Sequence, residues 1–170
     1  MSAPPKTVLT TTPAEEDAIR TAVREASGLH ELGPGRKVLE PADAAALADL
    51  FADPRVSDPV YSLPRPFTPE VLAAWITEWQ DLRTRGEGLM FATFDDEGRI
   101  VGWSAVDVWP DRASGELAGV MRADRQNAGS GGVGMARTFD WMFEHLGIRL
   151  ICLTAALDNP DWKPNLENKD

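Results

Sequence analysis

The stretch Gln126-Asn127-Ala128-Gly129-Ser130-Gly131-Gly132-Val133-Gly134 stands between a run with strand character, Gly115-Glu116-Leu117-Ala118-Gly119-Val120-Met121, and a run with helical periodicity from about Gly132 to Leu146. At such a junction successive backbone N–H groups converge on one point, glycine lets the main chain come close to a ligand, and the helix dipole adds partial positive charge. The segment is therefore a candidate anion cradle, most naturally for a phosphate or diphosphate. The competing reading is a tight turn whose glycines serve only the backbone, but four glycines among residues 129–134 cost backbone entropy without packing return. A nucleoside-triphosphatase P-loop is excluded, because it needs Lys followed by Ser or Thr where this chain has Met135-Ala136. A dinucleotide fingerprint fits the Gly129, Gly131 and Gly134 spacing poorly: the preceding strand closes an antiparallel meander, and no further βαβ unit follows.

Upstream of that junction the period is two. Leu89 to Phe94 reads as a strand, Asp95-Asp96-Glu97-Gly98 as a hairpin turn, and Ile100 to Trp109 as its partner; residues 110–114 turn the chain again into the 115–121 strand. Before the meander come a short strand, Arg36 to Leu39, a helix opened by Glu40-Pro41-Ala42-Asp43 and running to Phe51, a Pro-rich loop over 53–69, and a helix capped by Thr68 with Pro69 at its first position. After the Gly-rich stretch and its helix, Leu150 to Ala156 reads as a fifth strand. At the N-terminus Thr7-Val8-Leu9-Thr10-Thr11-Thr12 is a candidate strand and residues 13–27 an amphipathic helix; Gly33-Pro34-Gly35 marks a boundary. The expected organisation is an N-terminal extension (1–33), a main domain (34–160) and a polar tail (161–170).

Composition narrows the function. The 170 residues include 27 acidic and 17 basic side chains, a net charge of -10, which gives no footprint for a phosphate backbone but suits a cationic or amine-bearing partner. Nucleic-acid binding is not expected. No run of about 18 apolar residues occurs, and the opening residues lack signal-peptide character, so no membrane or secretory role is expected. One cysteine and two distant histidines, His30 and His145, make neither a disulfide nor a zinc-type metal site, and the chain reads as a cytoplasmic protein.

Strand, two helices, three antiparallel strands, Gly-rich loop, helix, strand is an order that resembles the GNAT acyl-CoA N-acyltransferases. Gln126-Asn127-Ala128-Gly129-Ser130-Gly131 fits their Gln/Arg-x-x-Gly-x-Gly/Ala motif at every defined position. Phe139 to Gly147 and Leu157-Asp158-Asn159 also look like the branch that acetylates ribosomal-protein N-termini (RimJ/RimL-like), and the resemblance spans roughly residues 36–160. It implies an α/β (α+β) fold, a mixed, mostly antiparallel twisted sheet flanked by helices. It also implies acetyl-CoA as cosubstrate, with the diphosphate on the amides of Gln126, Asn127, Ala128, Gly129, Ser130, Gly131 and Gly132. The pantetheine arm would lie along the main chain of Val120 and Met121 and against Asn159.

The implied activity is N-acetyltransfer to a primary amine, a protein N-terminus or a small molecule, by direct attack in a ternary complex. It needs a base for the ammonium proton and donors at the carbonyl oxygen. Glu116 is the candidate base, directly or through a water, and Asp107 the second carboxylate, a substrate contact; the plain alternative for each is a solvated edge position. Tyr61, in the Pro-rich loop, is a candidate wall of the amine pocket. Cys152 reads as a core side chain, Trp75 and Trp79 as a core helix face, and His145 as a complement to the helix dipole.

The sequence departs from the family at its C-terminal side. Residues 160–170, Pro-Asp-Trp-Lys-Pro-Asn-Leu-Glu-Asn-Lys-Asp, supply neither the usual helix and two strands nor a Ser or Tyr as general acid. Three accounts are open: the thiolate leaves without an assigned acid; the N-terminal strand and helix occupy the vacated edge, or a second copy covers the fifth strand in a homodimer; or the chain is a catalytically impaired CoA-binding or protein-interaction module on the same scaffold.

Overall fold

The computed structural model of the chain describes residues 4–125 and 130–153, and of residues 130–133 the backbone only. The helices are α1 (Pro13–Glu25), α2 (Ala44–Phe51), α3 (Pro54–Ser57), α4 (Pro69–Arg85) and α5 (Ser130–Glu144). The strands are β1 (Arg36–Val38), β2 (Gly88–Phe94), β3 (Ile100–Trp109), β4 (Ser114–Met121) and β5 (Leu150–Cys152), in one sheet in the order β1-β2-β3-β4-β5. The first four are antiparallel neighbours, and β5 joins β4 in parallel.

Local chemistry sets the element ends. Thr12 caps α1 through a capping box in which its hydroxyl accepts from Glu15 N and the Glu15 carboxylate accepts from Thr12 N. The Thr68 hydroxyl accepts from Val71 N at α4, and each such cap contributes about 1 kcal/mol. Gly86, at φ 72, ends α4 in a left-handed cap packed so closely on Arg20 that a side chain has no room.

The alternation of β2, β3 and β4 sends successive residues to two apolar layers. On one face Met90, Ala92, Trp103 and Ala105 pack under α2 and α4 with Leu47, Leu50, Phe51, Leu72, Ile76 and Trp79. On the other, Leu89, Phe91, Val106 and Val108 pack under α1 and α5 with Ile19, Val23, Trp141, Met142 and Leu146. Each fully buried Leu, Ile or Phe contributes roughly 1.5–3 kcal/mol of burial free energy.

The N-terminal segment differs from expectation. Residues 7–12 form no strand; they run past the 110–112 turn, where the Thr11 hydroxyl donates to Asp111 O and the Arg149 guanidinium donates to Thr10 O. The β propensity of this run is overridden because its contacts are made with a turn and a side chain, not with a strand edge. Helix α1 does not extend the β5 edge either. It lies on the sheet face beside α5, because its apolar stripe is matched by β2 and β3. The Pro-rich segment expected as loop contains α3, nucleated by Asp53, whose side chain accepts from Arg55 N, and by Pro54 at the first helical position.

Two predictions follow from this packing. Deleting residues 1–32 strips Ile19, Val23, Leu29 and Leu32 from the layer over Leu89, Phe91, Val106 and Val108, so the shortened chain should lose its cooperative thermal transition; an unchanged midpoint would contradict the packing. Glu87 is held below the usual carboxylate range by the Arg85 side chain and by Arg20, against the opposing effect of burial. A carboxyl with a depressed folded-state value stabilises the fold above its unfolded value, about pH 4–5, and that contribution disappears as pH falls through the folded value. The thermal midpoint of Glu87→Gln should therefore fall less than that of the parent protein between about pH 5 and pH 3.

Candidate active site

Residues directly opposed across neighbouring strands share a face of the sheet. The registers Gly88↔Asp107, Asp107↔Glu116 and Glu116↔Cys152 therefore make one row across β2, β3, β4 and β5. The row lies on the face covered by α4, whose Trp79 packs over its first member: a Cβ at Gly88 would sit 3.0 Å from the indole.

Asp107 and Glu116 are 8% and 9% exposed, which removes the solvated edge position as an account of either. Two carboxylates are held side by side, largely out of water, at a place where burying a charge is costly unless the site returns interactions. Ser114, two residues before Glu116 and on the same face, is fully buried, and its hydroxyl has no hydrogen-bond partner among the described residues. This third polar group was not singled out from sequence. Its signal is the i, i+2 spacing to Glu116, which in a strand means a shared face.

Cys152 ends the row as a half-buried thiol. Burial pushes its titration up, and the neighbouring Glu116 charge pushes it further the same way. That environment is the opposite of the one that makes a thiolate nucleophile, so Cys152 is a packing residue.

Val120 and Met121 close β4, opposite Trp103 and Gly102. The described β4–β5 ladder covers Ser114–Leu150, Gly115–Ile151 and Glu116–Cys152, while β4 continues to Met121. Helix α5 begins at Ser130, two residues earlier than the periodicity indicated, which puts Ser130, Gly131 and Gly132 in its first turn. The N–H groups of that turn have no intrahelical acceptor and point along the axis. Gly115 lets α5 settle on the sheet, since a Cβ there would lie 3.1 Å from Met142 Cε. Gln126, Asn127, Ala128, Gly129 and Asn159 lie outside the described residues.

Tyr61 is 73% exposed, between α3 and α4, and takes no part in the buried row. Trp75 and Trp79 belong to the core, 6.5 Å apart edge to face, with Trp75 also 5.5 Å from Trp103. His145 follows the last turn of α5, and its Nε2 is 3.2 Å from the Glu31 carboxylate. Among the described residues, no group of His, Cys, Asp and Glu could hold a metal ion, and no helix is long and apolar enough to cross a membrane.

Residues 36–162 match the family model described as the acetyltransferase (GNAT) domain. The chain belongs to this family. A comparison with curated protein sequences gives no match. Among solved structures, the chain resembles a ribosomal-protein-S5-alanine acetyltransferase from Vibrio fischeri at 20% identity and TM-score 0.65, covering 78% of this chain and 75% of that one. It resembles a spermidine N-acetyltransferase from Vibrio cholerae, solved with CoA and spermine, at 17% identity and TM-score 0.64, covering 78% and 76%. Mycobacterium smegmatis RimJ, in complex with CoA-disulfide, aligns at 15% identity and TM-score 0.63, covering 78% and 66%. These likenesses show the fold. They fall equally on ribosomal-protein and polyamine acetyltransferases, so the fold alone does not select the branch.

The Cys152 environment is directly testable because the chain has a single cysteine. Alkylation of the native protein by iodoacetamide at pH 8 should be several-fold slower than alkylation of the urea-unfolded chain; equal rates would contradict the burial and the raised thiol.

Proposed function

We propose that the domain transfers an acetyl group from acetyl-CoA to a primary amine by direct attack in a ternary complex, with Glu116 as the general base. The observation that carries this reading is a buried carboxylate on the strand that leads into the glycine-rich junction of a GNAT domain. Acetyl-CoA supplies the thioester whose carbonyl carbon receives the amine.

The chain's own residues do the rest. The amides of Gln126 to Gly132 hold the diphosphate, where the first turn of α5 offers N–H groups with no intrahelical acceptor and a positive dipole end. Val120 and Met121 present main-chain groups to the pantetheine amides, with Asn159 beyond them. Glu116 accepts the proton that an ammonium must lose before its nitrogen can attack. As the new C–N bond forms and the C–S bond breaks, main-chain N–H groups of β4 stabilise the carbonyl oxygen. Asp107, opposite Glu116, holds the positive charge of the incoming acceptor, and Tyr61 lines its approach. Two adjacent carboxylates and a net charge of -10 both favour a cationic acceptor, a small-molecule amine or a ribosomal-type protein N-terminus. The reading takes the protein to be cytoplasmic and a second copy to pair along β5, an outermost strand among the described residues.

Thiol release from acetyl-CoA, followed with a panel of amines and N-terminal peptides, tests the proposal. Release should require an amine, and Glu116→Gln should lower kcat by roughly 10²–10⁴-fold while leaving acetyl-CoA affinity unchanged. Amine-independent release, or full turnover by Glu116→Gln, would overturn it.

A further inference from the structure

On the opposite face of the sheet from the carboxylate row, two arginines stand at the junction of β1 and α5, one on each element. Arg36, on β1, is half-buried and lies over the ring of Phe91, its Cζ 6.0 Å from the centroid. Phe91 packs edge to face on Trp141 at 5.6 Å, and Trp141 is anchored by its indole N–H, which donates to Ser27 O at 2.8 Å. Arg137 stands one helical turn before Trp141, and its guanidinium donates to Glu31 O at 3.0 Å. Arg36 is thus held on the aromatic pair, and Arg137, one turn from that pair's Trp141, on the 29–32 turn.

Of the acids nearby, three are paired elsewhere, and Asp140, three residues after Arg137 on α5, is exposed and makes no ion pair with it. The Glu31 carboxylate faces His145 at 3.2 Å and His30 at 4.0 Å, Asp95 pairs with Arg99 at 2.8 Å, and Asp43 pairs with Lys37 at 2.8 Å. Neither Arg36 nor Arg137 makes an ion pair among the described residues. Burial, and then the like charge of Arg137, weakens the hold of Arg36 on its proton. In a chain where acids outnumber bases 27 to 17, most arginines find a carboxylate. Arg36 and Arg137 are instead close enough for each charge to act on the other.

We infer that Arg36 and Arg137 form a binding site for one phosphate group at the β1–α5 junction. Two guanidinium forks offer the geometry of bidentate phosphate recognition, and a phosphate monoester, close to dianionic at neutral pH, balances both charges, which a single carboxylate does not. The site is separate from the glycine-rich junction. Arg137 lies about 10 Å along α5 from its first residue, and β1 is three strand spacings, about 14 Å, from β4. The phosphate group comes either from a free phosphorylated small molecule or from the ribose of the cosubstrate. The inference does not depend on the proposed transfer reaction.

The test is thermal unfolding with inorganic phosphate as the probe, at ionic strength matched with sodium chloride. At about ten times its Kd, phosphate should raise the midpoint of the parent protein by roughly 3–6 °C. Arg36→Gln and Arg137→Gln should melt cooperatively without phosphate and lose that rise, and Arg36→Lys should keep part of it. Arg137 is exposed, so Arg137→Gln decides the matter if Arg36→Gln does not fold. No rise in the parent protein, or an equal rise in Arg137→Gln, would overturn the site. Titration of the parent protein and Arg137→Gln with CoA and 3′-dephospho-CoA names the source. A loss of tenfold or more confined to CoA assigns the phosphate to the cosubstrate, and unchanged affinity for both assigns it to a free ligand; either result keeps the site.

Discussion

The register of β3 against β4 is the constraint on which the rest of this molecule depends. Because Asp107 lies opposite Glu116, Val106 lies opposite Leu117 and Trp103 opposite Val120, and each strand delivers alternate side chains to two different cores. A slip by one residue would turn the carboxylates toward α1 and α5 and drive Val106 and Val108 under α4. The apolar alternation that builds the two layers is therefore also what brings two acids together. The site is a consequence of the core, and the cost of burying it is offset by the packing on either side.

Much of this architecture is readable in the chain, since the deciding signals are local. The Asp95 to Gly98 turn, the period-two runs around it, and Thr12 and Thr68 ahead of Pro13 and Pro69 place the hairpin and two helices without tertiary information. Misreadings come where tertiary contacts decide. Residues 7–12 have β-branched strand character, but they meet the 110–112 turn and Arg149 instead of a partner strand. The start of α5 shifts to Ser130 because glycines tolerated in a helix give no periodic signal.

The candidate site divides along the same line. Glu116 and Asp107 can be picked out by residue type and strand position, but their burial comes from the packing of the folded chain, which composition does not reveal. Ser114 is hidden for the same reason. The Arg36–Arg137 pair joins residues about a hundred positions apart through Phe91 and Trp141, and only the folded chain brings them together. The two polar sites differ in kind: one is an acidic row in the α2–α4 layer, the other a basic pair at the edge of the α1–α5 layer.

The central claim is that the glycine-rich junction of this GNAT domain holds the nucleotide end of acetyl-CoA. Calorimetric titration of the full chain with acetyl-CoA, with free CoA alongside, tests it most directly. The account predicts micromolar binding of both, lost when Gly131 is replaced by Trp. Absence of binding in the parent protein, or undiminished binding in Gly131→Trp, would contradict it.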